Sequence, residues 1–381
     1  MNRDLEKFIP RFIRFVFPYS VVAIFTVIVF YKSGEIFWVN RTLQAQTIER
    51  KNFICGTAYT NLPNYFRWAA VENCKPKVIA LGSSRVLQFR SGFFKDSISF
   101  YTTGGVFHRI GQLRAFLESI PEENLPKAII LGLDQWWFNS RYDSAMTKPN
   151  DLIFNQFSWT QNFEGLQSWQ KFYLDWWNGK IKWSKLQNEN HSGVEWLGIS
   201  ARMQGLGYRK DGSRAYGNII SGGTMSSRIK TAIDSVRTNN GLFRWTTEPD
   251  KNAINELRTL LRFCKKHNIT VTGFLPPIHY RVLNEMQKQP EHFSNFFLLY
   301  NLLYPIFREN SFYVYDFTVP ENYGSSDAEM VDAVHGSEKS FLRLQIQLLR
   351  KEGYLSQYSD SVYLKIRLDS AKGNFNVFGN Q

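Results

Sequence analysis

The chain is 381 residues long, 43% hydrophobic and 21% charged, which is enough apolar material for a full core and carries no disordered signature. Its formal net charge is +13, yet Lys and Arg are scattered, with no basic run, zinc-ligand spacing or RNA-recognition signature. Nucleic acid is therefore set aside in favour of a membrane surface or an anionic glycan, and an aromatic share of 16% leans the same way, since aromatic rings stack on sugars and sit at bilayer interfaces.

At the N-terminus, Arg3, Lys7, Arg11 and Arg14 precede an uncharged apolar stretch from Phe15 to Tyr31. At about 17 residues it is near the minimum for a bilayer span. A cleaved signal peptide or a buried helix would also carry such a stretch, but it is long for a signal h-region and no small-x-small site follows Lys32-Ser33-Gly34. The preferred reading is an uncleaved transmembrane helix, residues 1–33 forming a basic cytoplasmic end plus anchor. The positive-inside rule then puts everything beyond about Ser33 outside, in the periplasm or at the cell surface. Pro18 is tolerated near the start of such a helix. Residues 34–75 read as a polar, partly helical stem in which Trp38 is either an interfacial anchor or core. Among Cys55, Cys74 and Cys264 there is no C-x-x-C. Either Cys55 and Cys74 pair, or all three are buried thiols.

From Lys77 an apolar run reaches Leu81 and stops at Gly82-Ser83-Ser84-Arg85. The pattern predicts a buried strand, a tight turn and a helix over Arg85–Phe89, whose free N–H groups would face whatever Ser84 attacks. Taken alone, Ser84 reads as a helix cap. A strand over Ser97–Tyr101 leads to Gly104-Gly105, a helix follows through Ile110, Leu113, Phe116 and Leu117, and Lys127–Asp134 is a further buried strand. The alternation implies βαβ crossovers and a parallel sheet. From 139 to 249 the rhythm breaks into an insertion of helices plus a hairpin at Asp211-Gly212. It holds Trp159, Trp169, Trp176, Trp177, Trp183 and Trp196, read mainly as subdomain core, and is expected to cover the mouth of the site. Alternation resumes over 250–352 with a helix through Ile254–Cys264, a strand Ile269–Leu275, the Pro276-Pro277-Ile278-His279 loop, a helix about Phe293–Arg308, a strand Phe312–Phe317 and a last helix through Leu349. Residues 353–381 form a tail without a motif.

Ser84, the Gly104-Gly105 pair, Asp134 and Asp332-x-x-His335 thus fall at predicted strand ends, where open α/β sheets place their sites. A nucleophilic Ser needs a base, and the base needs an acceptor on its other ring nitrogen; His335 and Asp332 supply both. This order of blocks resembles the SGNH (GDSL-like) hydrolase superfamily. The resemblance runs over Pro76–Asp134 and Ile269–Leu349. Gly82-Ser83-Ser84 stands for the family's Gly-Asp-Ser, Gly105 (less well Gly104) for its second block, Gly132-Leu133-Asp134 for Gly-x-Asn, and Asp332 with His335 for Asp-x-x-His. The resemblance implies a three-layer αβα flavodoxin-like sheet, Ser84, His335 and Asp332 as catalytic residues, and an oxyanion hole from Ser84 and Gly105. Asp134 departs from the family's Asn: a carboxylate cannot donate to an oxyanion unless protonated, so the third donor is lost, or comes from Trp136, Trp137 or Asn139.

With the anchor, the Gly-Ser-Ser turn and the Pro-Pro loop, the chain looks like the branch containing teichoic-acid D-alanylation and alginate O-acetylation proteins. That branch implies acyl transfer to or from a cell-surface polysaccharide, alongside a membrane-bound O-acyltransferase as partner. The expected activity is a serine O-acyltransferase or esterase working through an acyl-Ser84 intermediate. The alternative is a non-catalytic glycan-binding or assembly protein, for which Asp134 is the best support. Arg85, Trp136 and Trp137 are candidate substrate contacts, Arg85 alternatively a structural turn residue. His108 and His279 are expected to make ordinary hydrogen bonds, and the reading calls for no metal and no cofactor.

Overall fold

The computed structural model describes residues 3–36, 43, 52–60, 64–142, 153–156, 166–187, 190–191, 193–220, 224–351 and 353–379; Trp38 and Trp159 lie outside the described residues. Helix α1 (Arg3–Ser33) contains a segment, Phe8–Ser33, of mean hydropathy 2.1, long and apolar enough to cross a membrane. It extends further back than the uncharged run, because Phe8, Ile9, Phe12 and Ile13 continue its apolar surface between the basic residues. Pro18 consequently sits in the helix interior, with Pro10, and not near its start.

After β1 (Phe53–Cys55) and α2 (Asn64–Cys74) come the strands of the main sheet: β2 (Val78–Leu81), β3 (Phe100–Thr102) and β4 (Ala128–Gly132), with α3 (Ile110–Glu118) crossing from β3 to β4. The insertion holds α4 (Leu166–Trp177), α5 (Trp183–Leu186), β5 (Asn190–His191), β6 (Val194–Leu197), α6 (Ile199–Gln204), β7 (Leu206–Arg209), β8 (Arg214–Tyr216) and α7 (Thr224–Arg237). The chain then returns through α8 (Lys251–Lys266), β9 (Thr270–Leu275), α9 (Tyr280–Gln287), α10 (Ser294–Glu309), β10 (Tyr313–Asp316), α11 (Glu338–Lys351) and α12 (Ser361–Asp369).

The main sheet is wholly parallel in the spatial order β3-β2-β4-β9-β10, so its five strands follow the doubly wound order 2-1-3-4-5. Period-two alternation divides its residues between two cores. Ile79, Leu81, Ile129, Leu131 and Val271 face α2, α3, α8 and α10. Val78, Ala80, Ile130 and Phe274 face α11, α12 and the Val86–Phe94 segment. The tail is part of this second layer: Leu355, Leu364 and Phe378 are buried in it.

Arg85–Phe89 does not form the expected α-helix; Ser84–Val86 is a single 3₁₀ turn. Arg85 through Ser91 are all buried, and a helix with one solvated face cannot bury seven consecutive residues. Similarly the strand expected over Ser97–Tyr101 begins only at Phe100, because Asp96 accepts from the Ile98 N–H and caps a 3₁₀ turn at Ser97–Ser99. Of the two readings of the cysteines, free thiols are what the structure has, with Cys55 and Cys264 buried.

The second sheet, in the order β5-β6-β1-β7-β8, is mixed, and its central strand comes from the stem. The expected hairpin is there as β7 and β8, with Asp211-Gly212 at its turn. That turn docks on the main sheet: Thr102 N–H donates to the Asp211 carbonyl at 2.9 Å, and the Asp211 carboxylate accepts from Ser91 N–H at 2.8 Å. Arg90, buried beneath, pairs with both Asp211 and Glu338. Glu338 in turn accepts from Val377 and Phe378 N–H groups, so one buried charge network joins the hairpin, the segment after Ser84 and the tail.

Gly212 has φ +79°, and a Cβ there would lie 2.1 Å from the Thr102 carbonyl oxygen. Gly212→Ala is expected to destabilise the fold by about 2 kcal/mol or more, combining left-handed backbone strain with that clash. A thermal melt of the variant checks it; an unchanged midpoint would mean the hairpin is not seated on β3.

Candidate functional site

The chain reverses direction across the sheet between β2 and β4, and their carboxyl ends open a crevice there. Two glycines let the Ser84 turn fold over it. A Cβ on Gly82 would meet the Gly132 carbonyl oxygen at 2.9 Å, and one on Gly132 would meet Val86 Cγ1 at 2.4 Å. With both side chains absent, Val86 packs over the end of β4 and Ser84 is left half-buried at the rim, reachable from solvent.

The sequence-predicted residues Ser84, His335 and Asp332 come together. Ser84 Oγ lies 2.8 Å from His335 Nε2, and His335 Nδ1 lies 2.9 and 3.0 Å from the two Asp332 carboxylate oxygens. The backbone N–H groups of Val334 and His335 also donate to Asp332 Oδ1, at 3.0 and 2.9 Å. Burial alone would raise the Asp332 pKa, but His335 and these N–H donors outweigh it and hold the carboxylate well below its ordinary range. An ionised Asp332 fixes the Nδ1–H tautomer, which leaves Nε2 free to accept the serine proton. The loop is held at its base as well, since His279 N–H donates to the Ala333 carbonyl at 3.0 Å. Met330 and Gly336 form an isolated antiparallel bridge that closes it.

Arg85 is buried at 2% exposure, which overturns its reading as a substrate contact and leaves the structural one. Its Nε donates to the Val334 carbonyl at 2.9 Å, Nη1 to Gln135 Oε1 at 2.6 Å and Nη2 to the Pro277 carbonyl at 2.6 Å. One guanidinium thus ties the Ser84 turn to the His335 loop, the Pro-Pro loop and the turn after β4. Burial draws its pKa down to about 10, with Asp134 opposing, so it stays a cation.

Asp134 Oδ1, 3.5 Å from Arg85 Nη1, is the countercharge. Burial pushes the Asp134 carboxyl up, and Arg85 works against that burial. The Ser83 hydroxyl and the His335 ring also act on the carboxylate in the same direction as Arg85. Asp134 therefore faces a buried cation, which gives a carboxylate a physical reason to stand there.

The three alternative oxyanion donors fare unequally. Asn139 is already engaged, since its Nδ2 donates to the Arg244 carbonyl at 2.5 Å and its Oδ1 accepts from Arg141 N–H. Trp136 lies under Arg85, ring centroid 4.8 Å from the guanidinium carbon, and is 7% exposed. Trp137 is 4% exposed, with an indole N–H that has no partner among the described residues. It lines a cavity of about 280 Å³ with Arg109, Tyr142, Asp250 and Glu256. Both indoles are thus too enclosed to be open substrate contacts. Among the described residues, the N–H groups of Ser84 and Gly105 donate to no protein acceptor, which leaves both free for an oxyanion.

Two contacts come from the insertion and carried no sequence signal. Arg228 on α7 donates to Asp332 Oδ2 at 3.3 Å, and the Tyr216 ring stands edge-on to His335, centroids 6.5 Å apart. Tyr208 from the same hairpin reaches over Gly105 and is flanked by Arg67 and Arg214, whose charges pull its pKa down against burial. Only the Asp211-Gly212 turn hinted that a hairpin would be placed somewhere. His279 makes ordinary contacts, pairing with Asp327 at 3.0 Å, and Gln112 accepts from the His108 backbone N–H. No group of three or more His, Cys, Asp and Glu residues among the described residues is placed to hold a metal ion.

No protein-family model matches the chain, and no curated protein matches it by sequence.

Asp134→Asn separates the two roles open to that position. As the countercharge of Arg85, its loss leaves a buried cation unpaired and is expected to cost about 3 kcal/mol of stability, read as a lower melting midpoint. An Asn variant as stable as the parent, with faster acylation of Ser84, would mean that the side chain serves the oxyanion hole and not Arg85.

Proposed function

We propose that the chain is a membrane-anchored serine acyltransferase or esterase, acting on O-acyl groups, acetyl foremost, of a cell-surface glycan. The observation that carries this reading is the unbroken relay from Asp332 through His335 to a solvent-reachable Ser84, with a 2.8 Å Oγ–Nε2 contact. The strand order 2-1-3-4-5 is that of flavodoxin-like sheets and supports an SGNH-type core, as does the position of Ser84 and Asp134 at the ends of adjacent strands. The apolar helix α1 supports a single-pass anchor, and the basic residues Arg3, Lys7, Arg11 and Arg14 before its uncharged run favour the α/β domain outside, where glycopolymers and a membrane-bound O-acyltransferase partner would be met.

In this mechanism Ser84 Oγ attacks the acyl carbonyl carbon as His335 Nε2 takes the hydroxyl proton. The tetrahedral oxyanion is held by the N–H groups of Ser84 and Gly105, a two-donor hole. As the C–O bond to the donor breaks, His335 returns the proton to the leaving oxygen, and the acyl group stays on Ser84. A glycan hydroxyl, or water, then attacks the acyl-serine with His335 again as base. The acyl group passes to the new oxygen and the proton returns to Ser84. Transfer and hydrolysis differ only in which hydroxyl enters.

A fluorophosphonate probe reads the nucleophile directly. The purified full chain is expected to label on the Ser84 peptide, with labelling abolished in Ser84→Ala and reduced by about a thousandfold in rate in His335→Ala. Absence of labelling in the folded parent, or labelling that survives Ser84→Ala, would sink the enzymatic reading and leave the assembly one.

A further inference from the structure

Of the insertion's described tryptophans, Trp196 is partly buried against the second sheet's core, but others face outward. Trp169 is partly buried against an aromatic cluster, but Trp176 is 40%, Trp183 44% and Trp177 90% exposed, and Leu174 beside them is 54% exposed. Large apolar side chains grouped in this way on a surface mark a partner. The partner is indicated by what α4 and α5 rest on. Tyr173 Oη reaches the Val22 carbonyl at 3.3 Å and Thr26 Oγ1 at 2.7 Å. Phe25 stacks on Trp176 and on Trp183, at 5.6 and 6.0 Å between centroids, and the two indoles stack on each other at 5.9 Å. Phe172 stands edge-on to Phe30 at 5.2 Å. All these partners belong to the apolar helix α1.

The contacts therefore reach from Phe30 down to Val22. At 1.5 Å per residue, Val22 lies about 14 Å along the axis from Tyr31, the end of the uncharged run. If the hydrocarbon layer is instead counted as about 20 residues from Phe8, it still includes Val22 and Phe25. In either placement the medium around Phe25 is the medium around Trp176 and Trp183. Interfacial helices characteristically sink their apolar side about 5–10 Å into this zone, with Trp at headgroup level and Lys reaching outward. Lys171, Lys180, Lys182 and Lys185 are exposed around the cluster.

We propose that α4 and α5 form a membrane-docking element, whose Leu174, Trp176, Trp177 and Trp183 enter the lipid leaflet on the side of the α/β domain. The proposal rests on the reading that α1 crosses the bilayer. Docking would fix the active site's height and tilt over the lipid, because the link between them is stiff. Just past α1, buried Glu35 accepts from the N–H groups of Ala58, Tyr59, Thr60 and Ile199. The second sheet then runs from β1 to β8, where Tyr216 meets His335.

The test uses the full chain reconstituted in phosphatidylcholine–phosphatidylglycerol vesicles that contain a diazirine-bearing phosphatidylcholine. After photolysis, lipid adducts are mapped by peptide mass spectrometry. Adducts are expected on peptides from both 8–33 and 166–186, severalfold above those on α12, whose exposed Val362 and Ile366 serve as the control surface. Trp177→Glu is expected to cut the 166–186 adducts severalfold while leaving those of 8–33 unchanged. Labelling of 8–33 with none above control at 166–186 would overturn the docking proposal and point to a protein covering this face. Labelling of neither would overturn the anchor reading and the proposal with it.

Discussion

The candidate site depends on one buried cation. Ser84, Gln135, Pro277 and Val334 come from segments separated by up to 250 residues, and Arg85 bonds three of them to the turn that carries the fourth. A guanidinium suits this task because its rigid planar fork presents several donors in fixed directions and remains charged when buried. Carbonyl oxygens satisfy the donors but do not neutralise the charge, and a buried charge without a partner is costly. Asp134 answers that need at 3.5 Å. Asp134 is thus, in three dimensions, the other half of an ion pair whose first half follows Ser84 directly.

A second set of buried charges fastens the insertion to the sheet. Arg90, Asp211 and Glu338 lie between the hairpin, the segment after Ser84 and the tail. The hairpin so held carries Tyr216 beside His335, and α7 adds Arg228 beside Asp332. The insertion thereby meets two regions: its β7–β8 hairpin borders the hydrogen-bonded Ser84, His335 and Asp332, and its α4–α5 end lies along the apolar helix.

Much of the sheet was legible in the sequence because buried parallel strands read as continuous apolar runs and their glycines mark the ends. Gly82, Gly132 and the Asp332-x-x-His335 spacing pointed to the site for the same reason: each is local. What could not be read was set by contacts far along the chain. Arg85–Phe89 has a helix-compatible composition, yet burial of every residue from Arg85 to Ser91 forbids an α-helix. Arg85 looked available for an anionic substrate, and only its three acceptors show it enclosed. The exposed tryptophans were read as core because composition records how apolar a segment is and not what surrounds it; α1 supplies that surrounding.

The central claim is that Ser84 carries an acyl group during turnover. Rapid mixing of the full chain with p-nitrophenyl acetate, acid quench and peptide mapping measures this directly. The account predicts acetyl transiently on the Ser84 peptide, with a matching burst of nitrophenolate that is lost in Ser84→Ala and strongly slowed in His335→Ala. Steady nitrophenolate release with no acetyl on Ser84, in a parent shown to be folded, would contradict it.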